Sequence, residues 1–509
     1  MSNFMSAMKN EMDNRTSITE NGAVGWVTTG KNLLDLNFAV ASLRKASEQE
    51  IISKFIDAYY ENTRLAIKWL FYASDVREGL GERRTFRVIM NYLAEQHTDI
   101  AIAVLKLIPE YSRWDNLITL IECNNKNVVV EVLDIIRIQL NFDIDNMRHN
   151  KPISLLGKWM PSSNCSSKDT KRKATIIRNY LGWDEKKYRK TLSALRKYLD
   201  VVECKMSAKE WENIDYSTVP SKANIKYSNA FMRNDEDRRR AYLESVKKGE
   251  TKINASVLFP QDVVHKYSIS GYWYRVSYYD EALEQMWKSL KDIGNIENTI
   301  VVADGSGSMT TRVDNNSSVT ALEVANALAI YCGERCSGEF KDKYITFSSR
   351  PQLVDFSNAS SLHNKLEIAY KHNEISNTNI EAVFDLILNT AINNHMTQNE
   401  IPQNVLIITD GEFDYMVAGN PTASLFEQIA KKYNKAGYDL PRLIFWNVNS
   451  RTNTIPIKEN KLGVTLVSGF SVNVMNMVLN NELDPYKALL KELNKDRYLA
   501  VESSLEGII

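Results

Sequence analysis

Five oxygen-bearing side chains, drawn from three distant stretches of the chain, have the types and spacing of a site for a hard divalent cation. The apolar run NTIVVAD ends in Asp304-Gly305-Ser306-Gly307-Ser308, which brings a carboxylate and two hydroxyls out of the carboxyl end of a strand. A second run, NVLIITD, ends in Asp410-Gly411, and the loop SNTNIE supplies Thr378 ahead of a helical stretch. An all-oxygen set suits magnesium first, with manganese or calcium as alternatives, and does not suit a thiolate-seeking metal. The glycines let the backbone turn tightly around a small object. Alone, DGSGS also fits a strand-to-helix turn capped by Ser and Asp. Three motifs, each at the end of the right kind of element, favour the cation. A nucleophilic serine here lacks a base, because none of the six histidines falls in these motifs. Neither GxxxxGK[ST] nor GxGxxG occurs, which disfavours phosphoryl transfer. Two converging aspartates are few for a two-metal nuclease, so the chain is expected not to be an enzyme.

Such ligands need a sheet edge to stand on. From residue 296 the chain alternates short apolar runs (NTIVVAD, KYITFSS, QNVLIITD, LPRLIFWNV) with helical stretches such as TALEVANALAIYCGER and IEAVFDLILNTAI. That alternation predicts a doubly wound α/β domain over 296–482 with buried parallel strands. Sheets of this kind place ligands at the carboxyl edge. A last helix, DPYKALLKEL, and a tail fill 483–509. Upstream, 49–74, 83–96, 99–107 and 128–141 carry apolar residues at three- and four-residue spacing. They predict stacked amphipathic helices, an irregular HEAT-like all-α repeat domain over 31–290. Residues 1–30 are polar, rich in Asn, Thr and Gly, and read as a loosely attached segment.

Charge is unevenly spread. Lysine and arginine balance aspartate and glutamate at 63 each, so attraction to a polyanion must come from local patches. Between Lys168 and Lys197 eleven basic residues face three acidic ones. Lys168, Lys171, Arg172, Lys173, Arg178, Lys186, Lys187, Arg189 and Lys190 are candidate RNA phosphate contacts, with a solvated charged face as the other reading. Tyr180, Trp183 and Tyr188 interleave with them and suit base stacking or core packing. Arg83, Arg84 and Arg87, beside a GER turn, form a second candidate group, or else a salt-bridged helix surface. Arg238, Arg239 and Arg240, with Lys222, form a weaker group, equally suited to clamping the α/β domain to the helices.

At 509 residues, 44% apolar and 25% charged, the chain is long enough for two or three folded domains. Cys123, Cys165, Cys204, Cys332 and Cys336 are odd in number and never form a CxxC pair, which predicts neither a disulfide framework nor a zinc site. With no signal-like N-terminus and no long apolar run, a soluble cytoplasmic protein without a membrane partner is expected.

The set DGSGS, Thr378 and Thr409-Asp410-Gly411 resembles the metal-ion-dependent adhesion site of von Willebrand A domains. That resemblance implies that Ser306, Ser308 and usually Thr378 touch the metal and that Asp304 and Asp410 act mostly through water. It also implies an open coordination position that an acidic group of a protein partner completes. VREGLGERRTFRVIMNYLAEQ and LIPEYSRWDNLITLI are similar to the TROVE-type helical ring of the Ro ribonucleoprotein family. The likeness covers about the first 290 residues and is strongest at 76–120. The phrases KWMPS, YRKTLSALR, TVPSKA and AFMRND look closer to a divergent branch of that family, spread over bacteria, plants and large viruses. Together the two halves resemble the Ro arrangement. It implies an RNA-binding protein in which the single-stranded 3′ end of a misfolded RNA enters a ring and a small noncoding RNA binds the basic outer surface. A metal-dependent protein-interaction scaffold that captures acidic groups is the alternative from another class.

Overall fold

The computed structural model describes residues 16–269, 274–414, 425–452, 454–456, 464–479, 482 and 484–509. The chain forms two compact units: one combines the residues up to Asn62 with Ala255–Asn494, the other Thr63–Asn254 with Lys495–Ile509.

The first unit is α/β. Its small elements are an antiparallel hairpin of β1 (Thr16–Ile18) and β2 (Val24–Trp26) and a short ribbon of β3 (Ser268–Ile269) and β4 (Arg275–Val276). Its main sheet contains β5 (Thr299–Asp304), β6 (Lys343–Phe347), β7 (Gln352–Asp355), β8 (Asn404–Thr409), β9 (Arg442–Asn447) and β10 (Thr465–Ser468). They lie in the order β10-β9-β8-β5-β6-β7. All neighbours are parallel except β6 and β7. Strands β5, β8 and β9 are apolar almost throughout because they are buried along their length. Ile300, Val302, Val405, Ile407 and Phe445 pack with Val383 and Phe384 of the helix Glu381–Asn393 and with Phe426 and Ile429 of Leu425–Lys435. Strand β7 has no counterpart among the predicted strands. It is an edge strand with Leu353 exposed, so it lacks the continuous apolar run that marks the central strands.

From β5 the chain proceeds to β6 and β7 on one side and then returns to β8, β9 and β10 on the other. The order therefore reverses between β5 and β8, and open α/β sheets bind ligands beside the carboxyl ends of such a strand pair.

The described part of the polar N-terminal segment is not loosely attached. Trp26 and Ile455 exchange backbone hydrogen bonds of 2.8 and 2.9 Å, and Thr19 Oγ1 donates to Phe413 O at 2.6 Å. Hydropathy does not register such a segment, because its few apolar contacts, Ala23 and Trp26 on the core, come with hydrogen bonds to residues distant in the chain. The helices Asn32–Ala39, Glu48–Glu61, Pro260–Tyr267 and Glu281–Lys288, expected within the 31–290 repeat domain, also belong to the α/β unit. Their periodicity reveals an apolar face but not what covers it.

The second unit is helical, and its longest helix is Lys126–Arg148. Phe71 meets Phe86 and Tyr111 edge-on, with centroids 5.7 and 5.4 Å apart, beside the fully buried Trp69. The RxGxGER turn follows Thr63–Ser74. There Leu80 N–H donates to Tyr72 O and Gly81 N–H to Asp75 O, both at 3.1 Å. A Cβ on Gly79 would lie 1.9 Å from Tyr72 O, so only glycine lets the turn close this tightly. The C-terminal tail completes the unit: Arg497 pairs with the buried Asp75, Tyr498 stacks on Tyr111 at 5.7 Å, and Lys68 Nζ lies 2.9 Å from Glu502. The predicted 483–509 segment is thus divided, with Pro485–Leu493 in one unit and Leu499–Ser504 in the other. The five cysteines are free, and Cys332 and Cys336 are buried. Among the described residues no helix is long and apolar enough to cross a membrane.

Candidate metal centre and basic groove

Strand β5 delivers Asp304, and the turn after it delivers Ser306 and Ser308. Ser306 N–H donates to Asp304 Oδ1 at 2.9 Å, and the Thr409 hydroxyl at the end of β8 donates to Asp304 Oδ2 at 2.6 Å. The Ser306 and Ser308 hydroxyls are 3.1 Å apart, and Asp410 at the end of β8 lies close enough for its charge and that of Asp304 to oppose each other. Three of the five predicted ligands, Asp304, Ser306 and Ser308, are therefore joined by hydrogen bonds, with Asp410 beside them. Thr378 reaches the same edge because its loop docks on the DGSGS turn, where Gly307 N–H donates to Ser376 O at 2.9 Å. Asp304, Ser306, Thr378 and Asp410 are all buried.

Two buried carboxylates side by side are electrostatically costly. Burial pushes Asp304 and Asp410 well above the ordinary carboxylate range, and Asp304 itself adds to the effect on Asp410. Among the described residues no hydrogen-bond donor reaches Asp410 Oδ2, and Arg451 Nη2 stands 3.8 Å from it. A bare buried carboxylate oxygen among hydroxyls fits a hard cation, which would supply the missing positive charge. Among the described residues no three His, Cys, Asp or Glu side chains gather as a metal-holding group. The predicted set has only two carboxylates and owes its other oxygens to hydroxyls. Asp304, Ser306, Ser308, Thr378 and Asp410 would hold the ion, whose charge would keep both aspartates ionised.

Sequence reasoning passed over several neighbours. Glu412 is fully buried, and one of its oxygens accepts the Arg451 and Thr452 backbone N–H groups at 2.9 and 3.0 Å. The other accepts Glu20 N–H at 2.9 Å. Its place two residues after Asp410 was a usable signal. Asn21, whose Nδ2 donates to Thr378 Oγ1 at 3.1 Å, had none. Ser318 Oγ and His265 Nε2 are 3.0 Å apart, and His265 Nδ1 is 3.1 Å from Glu323 Oε2. That carboxylate also accepts Thr320 N–H at 2.8 Å in the capping box of Ala321–Gly333, so this serine-histidine-glutamate line fastens a loop to a helix start.

In the helical unit the basic residues divide into two kinds. Arg172 pairs with Glu122 and Asp169 at 2.7 and 2.8 Å, Lys173 with Asp169 at 2.6 Å, and Arg178 lies 3.9 Å from Glu185. Arg87 pairs with Asp115 at 2.8 Å and donates to Asn116 at 2.6 Å. Arg83 precedes the helix Arg84–Gln96 and Arg84 opens it. Lys187 lies over the Trp183 ring at 4.7 Å, Tyr188 is buried in the core, and Tyr180 is exposed. Lys168, Lys171, Lys186, Arg189 and Lys190 are exposed, as Arg172 is, but among the described residues they form no ion pair. Lys186, Arg189 and Lys190 share one face of the helix Glu185–Tyr198 and line a groove of about 730 Å³ with Ser162, Ser163 and Asn164. The arginines at 238–240 are internal to this unit. Arg239 is fully buried among Tyr216, Phe231 and Tyr242, Arg238 bonds Ile214 O, and Arg240 pairs with Glu236.

Fold and site together define a two-unit protein, one unit helical with a basic groove, the other α/β with an oxygen-lined centre at its strand switch point. Residues 298–502 match the family model described as a domain of unknown function, DUF7788, and residues 165–303 match another such domain, DUF2828. The uncharacterized protein L728 of Acanthamoeba polyphaga mimivirus is 30% identical over 515 residues, covering 94% of this chain and 87% of that protein. The chain belongs to the family of that viral protein.

Proposed function

We propose that the chain is an RNA-binding protein of the Ro type, whose helical unit holds RNA phosphates and whose von Willebrand A-like unit carries a divalent cation, magnesium first. The observation that carries the RNA reading is the groove beside Glu185–Tyr198. Glu185 also lines the groove and lies 3.9 Å from Arg178, but among the described residues no acidic side chain forms an ion pair with Lys186, Arg189 or Lys190, so their charge is available to a polyanion. The exposed Tyr180 and half-buried Trp183, between the two basic helices, supply ring faces for unpaired bases. The sheet order, with its antiparallel edge strand β7 and its ligands at the ends of β5 and β8, supports the von Willebrand A reading of the other unit.

The test is binding of a structured RNA with a single-stranded 3′ tail across a salt series. Affinity that falls steeply and linearly in log salt is the expected result. Absence of binding at low salt, with magnesium-dependent capture of an acidic peptide, would transfer the reading to a protein-interaction scaffold working through the metal centre.

A further inference from the structure

The hairpin β1–β2 follows the segment after Asp410 almost residue by residue. Thr19 Oγ1 donates to Phe413 O at 2.6 Å, Glu20 N–H to Glu412 Oε2 at 2.9 Å, and Gly22 bridges to Asp414. At its tip, Asn21 Nδ2 donates both to Glu412 O at 2.7 Å and to Thr378 Oγ1 at 3.1 Å. A backbone carbonyl only accepts, so the amide is fixed with its NH2 toward both oxygens. The neighbouring Glu20 carboxylate lies 2.9 Å from Arg451 Nη2, the same atom that stands 3.8 Å from Asp410 Oδ2.

We propose that this hairpin is a working part of the metal centre, with Asn21 a positioning residue for Thr378 and Glu20 a tether that keeps the Arg451 guanidinium off Asp410. The inference rests on the metal reading of the site. A threonine hydroxyl offers two lone pairs and one proton. The Asn21 amide takes one lone pair and fixes the rotor, leaving the second lone pair for the cation. Without that donor the hydroxyl must be ordered when the ion binds, and outer partners of this kind are commonly worth 10–100-fold in metal affinity. Without the Glu20 carboxylate, Arg451 is free to pair with Asp410 and compete with the ion for the same charge.

The experiment is calorimetric titration of the full chain with manganese alone, together with melting of the metal-free proteins. Asn21→Ala is expected to weaken affinity about tenfold, Asn21→Gln to recover part of it, and Glu20→Gln to weaken it about threefold, with metal-free melting temperatures at the parental value. Asp304→Ala serves as the reference for loss of the site. Parental affinity in both Asn21→Ala and Glu20→Gln, while Asp304→Ala loses binding, would overturn the hairpin inference alone. Failure of the parent to bind manganese, or parental affinity in Asp304→Ala, would overturn the metal reading and the inference with it. Should Asn21→Ala melt lower without metal, Glu20→Gln decides by itself.

Discussion

The carboxyl edge of the sheet and the basic run of the helical unit were both conspicuous in the sequence, yet the fold treats them differently. At the sheet edge Asp304, Ser306, Ser308 and Asp410 converge into one cluster. In the basic run, Arg172 and Lys173 are taken up by Glu122 and Asp169, and only part of the charge faces open solvent. The difference lies in what positions the residues. A strand end delivers its next side chains to a fixed place, so motif spacing carries geometry. A charged helix face acquires partners from elsewhere in the chain, as Arg172 does from Glu122, and local counting of charges cannot see them.

That contrast can be broken at its most rigid point first. Asp304→Ala should abolish manganese or magnesium binding by the α/β unit, because the residue anchors both the DGSGS turn and Thr409. Circular dichroism and RNA affinity of the helical unit should remain parental. Unchanged metal affinity in that variant would remove the ion assignment and leave the cluster as a capped turn.

A smaller effect follows from pH. Burial raises Asp304 and Asp410 above their ordinary range, so the metal-free folded chain holds protons more tightly than the unfolded chain. Their contribution to stability is present at acid pH, below the ordinary carboxylate pKa, and is lost as pH rises toward neutrality through the raised values. The metal-free parent should therefore lose more melting temperature between pH 5 and about pH 8 than Asp410→Asn does, with saturating magnesium narrowing the gap. Identical pH profiles for parent and variant would show that the carboxylates are not strained.

The same contrast explains how much was legible. The runs TIVVAD, NVLIIT and RLIFWN announced buried parallel strands, and DGSGS and TDG announced what stands at their ends. The N-terminal hairpin was missed because Asn21 and Glu20 act through hydrogen bonds to residues nearly four hundred positions away, and no local pattern encodes such pairs. The return of Tyr498 and Arg497 to the helical unit was missed for a related reason. They stand on the single helical turn Asp496–Tyr498, ahead of the short helix Leu499–Ser504, and neither piece has enough residues to show a period. Arg238, Arg239 and Arg240 were read as one weak basic group or as a clamp on the α/β domain, but Arg239 is buried among Tyr216, Phe231 and Tyr242 while Arg238 and Arg240 remain on the surface of the same unit.

Under the proposed function, RNA is held by the unpaired cations of the groove and not by the densest run of charge. Two triple variants compared by filter binding over four salt concentrations test it directly: Lys186, Arg189 and Lys190 to Gln, and Lys171, Arg172 and Lys173 to Gln. The groove variant should bind RNA of any sequence more weakly. Its slope of log affinity against log salt should be shallower by about 0.7 for each single-strand phosphate that the variant no longer neutralises. The second variant should change that slope by no more than a single phosphate would, since Arg172 and Lys173 are already neutralised by Glu122 and Asp169. A parental slope in the groove variant, or the larger fall in affinity in the other, would contradict the account.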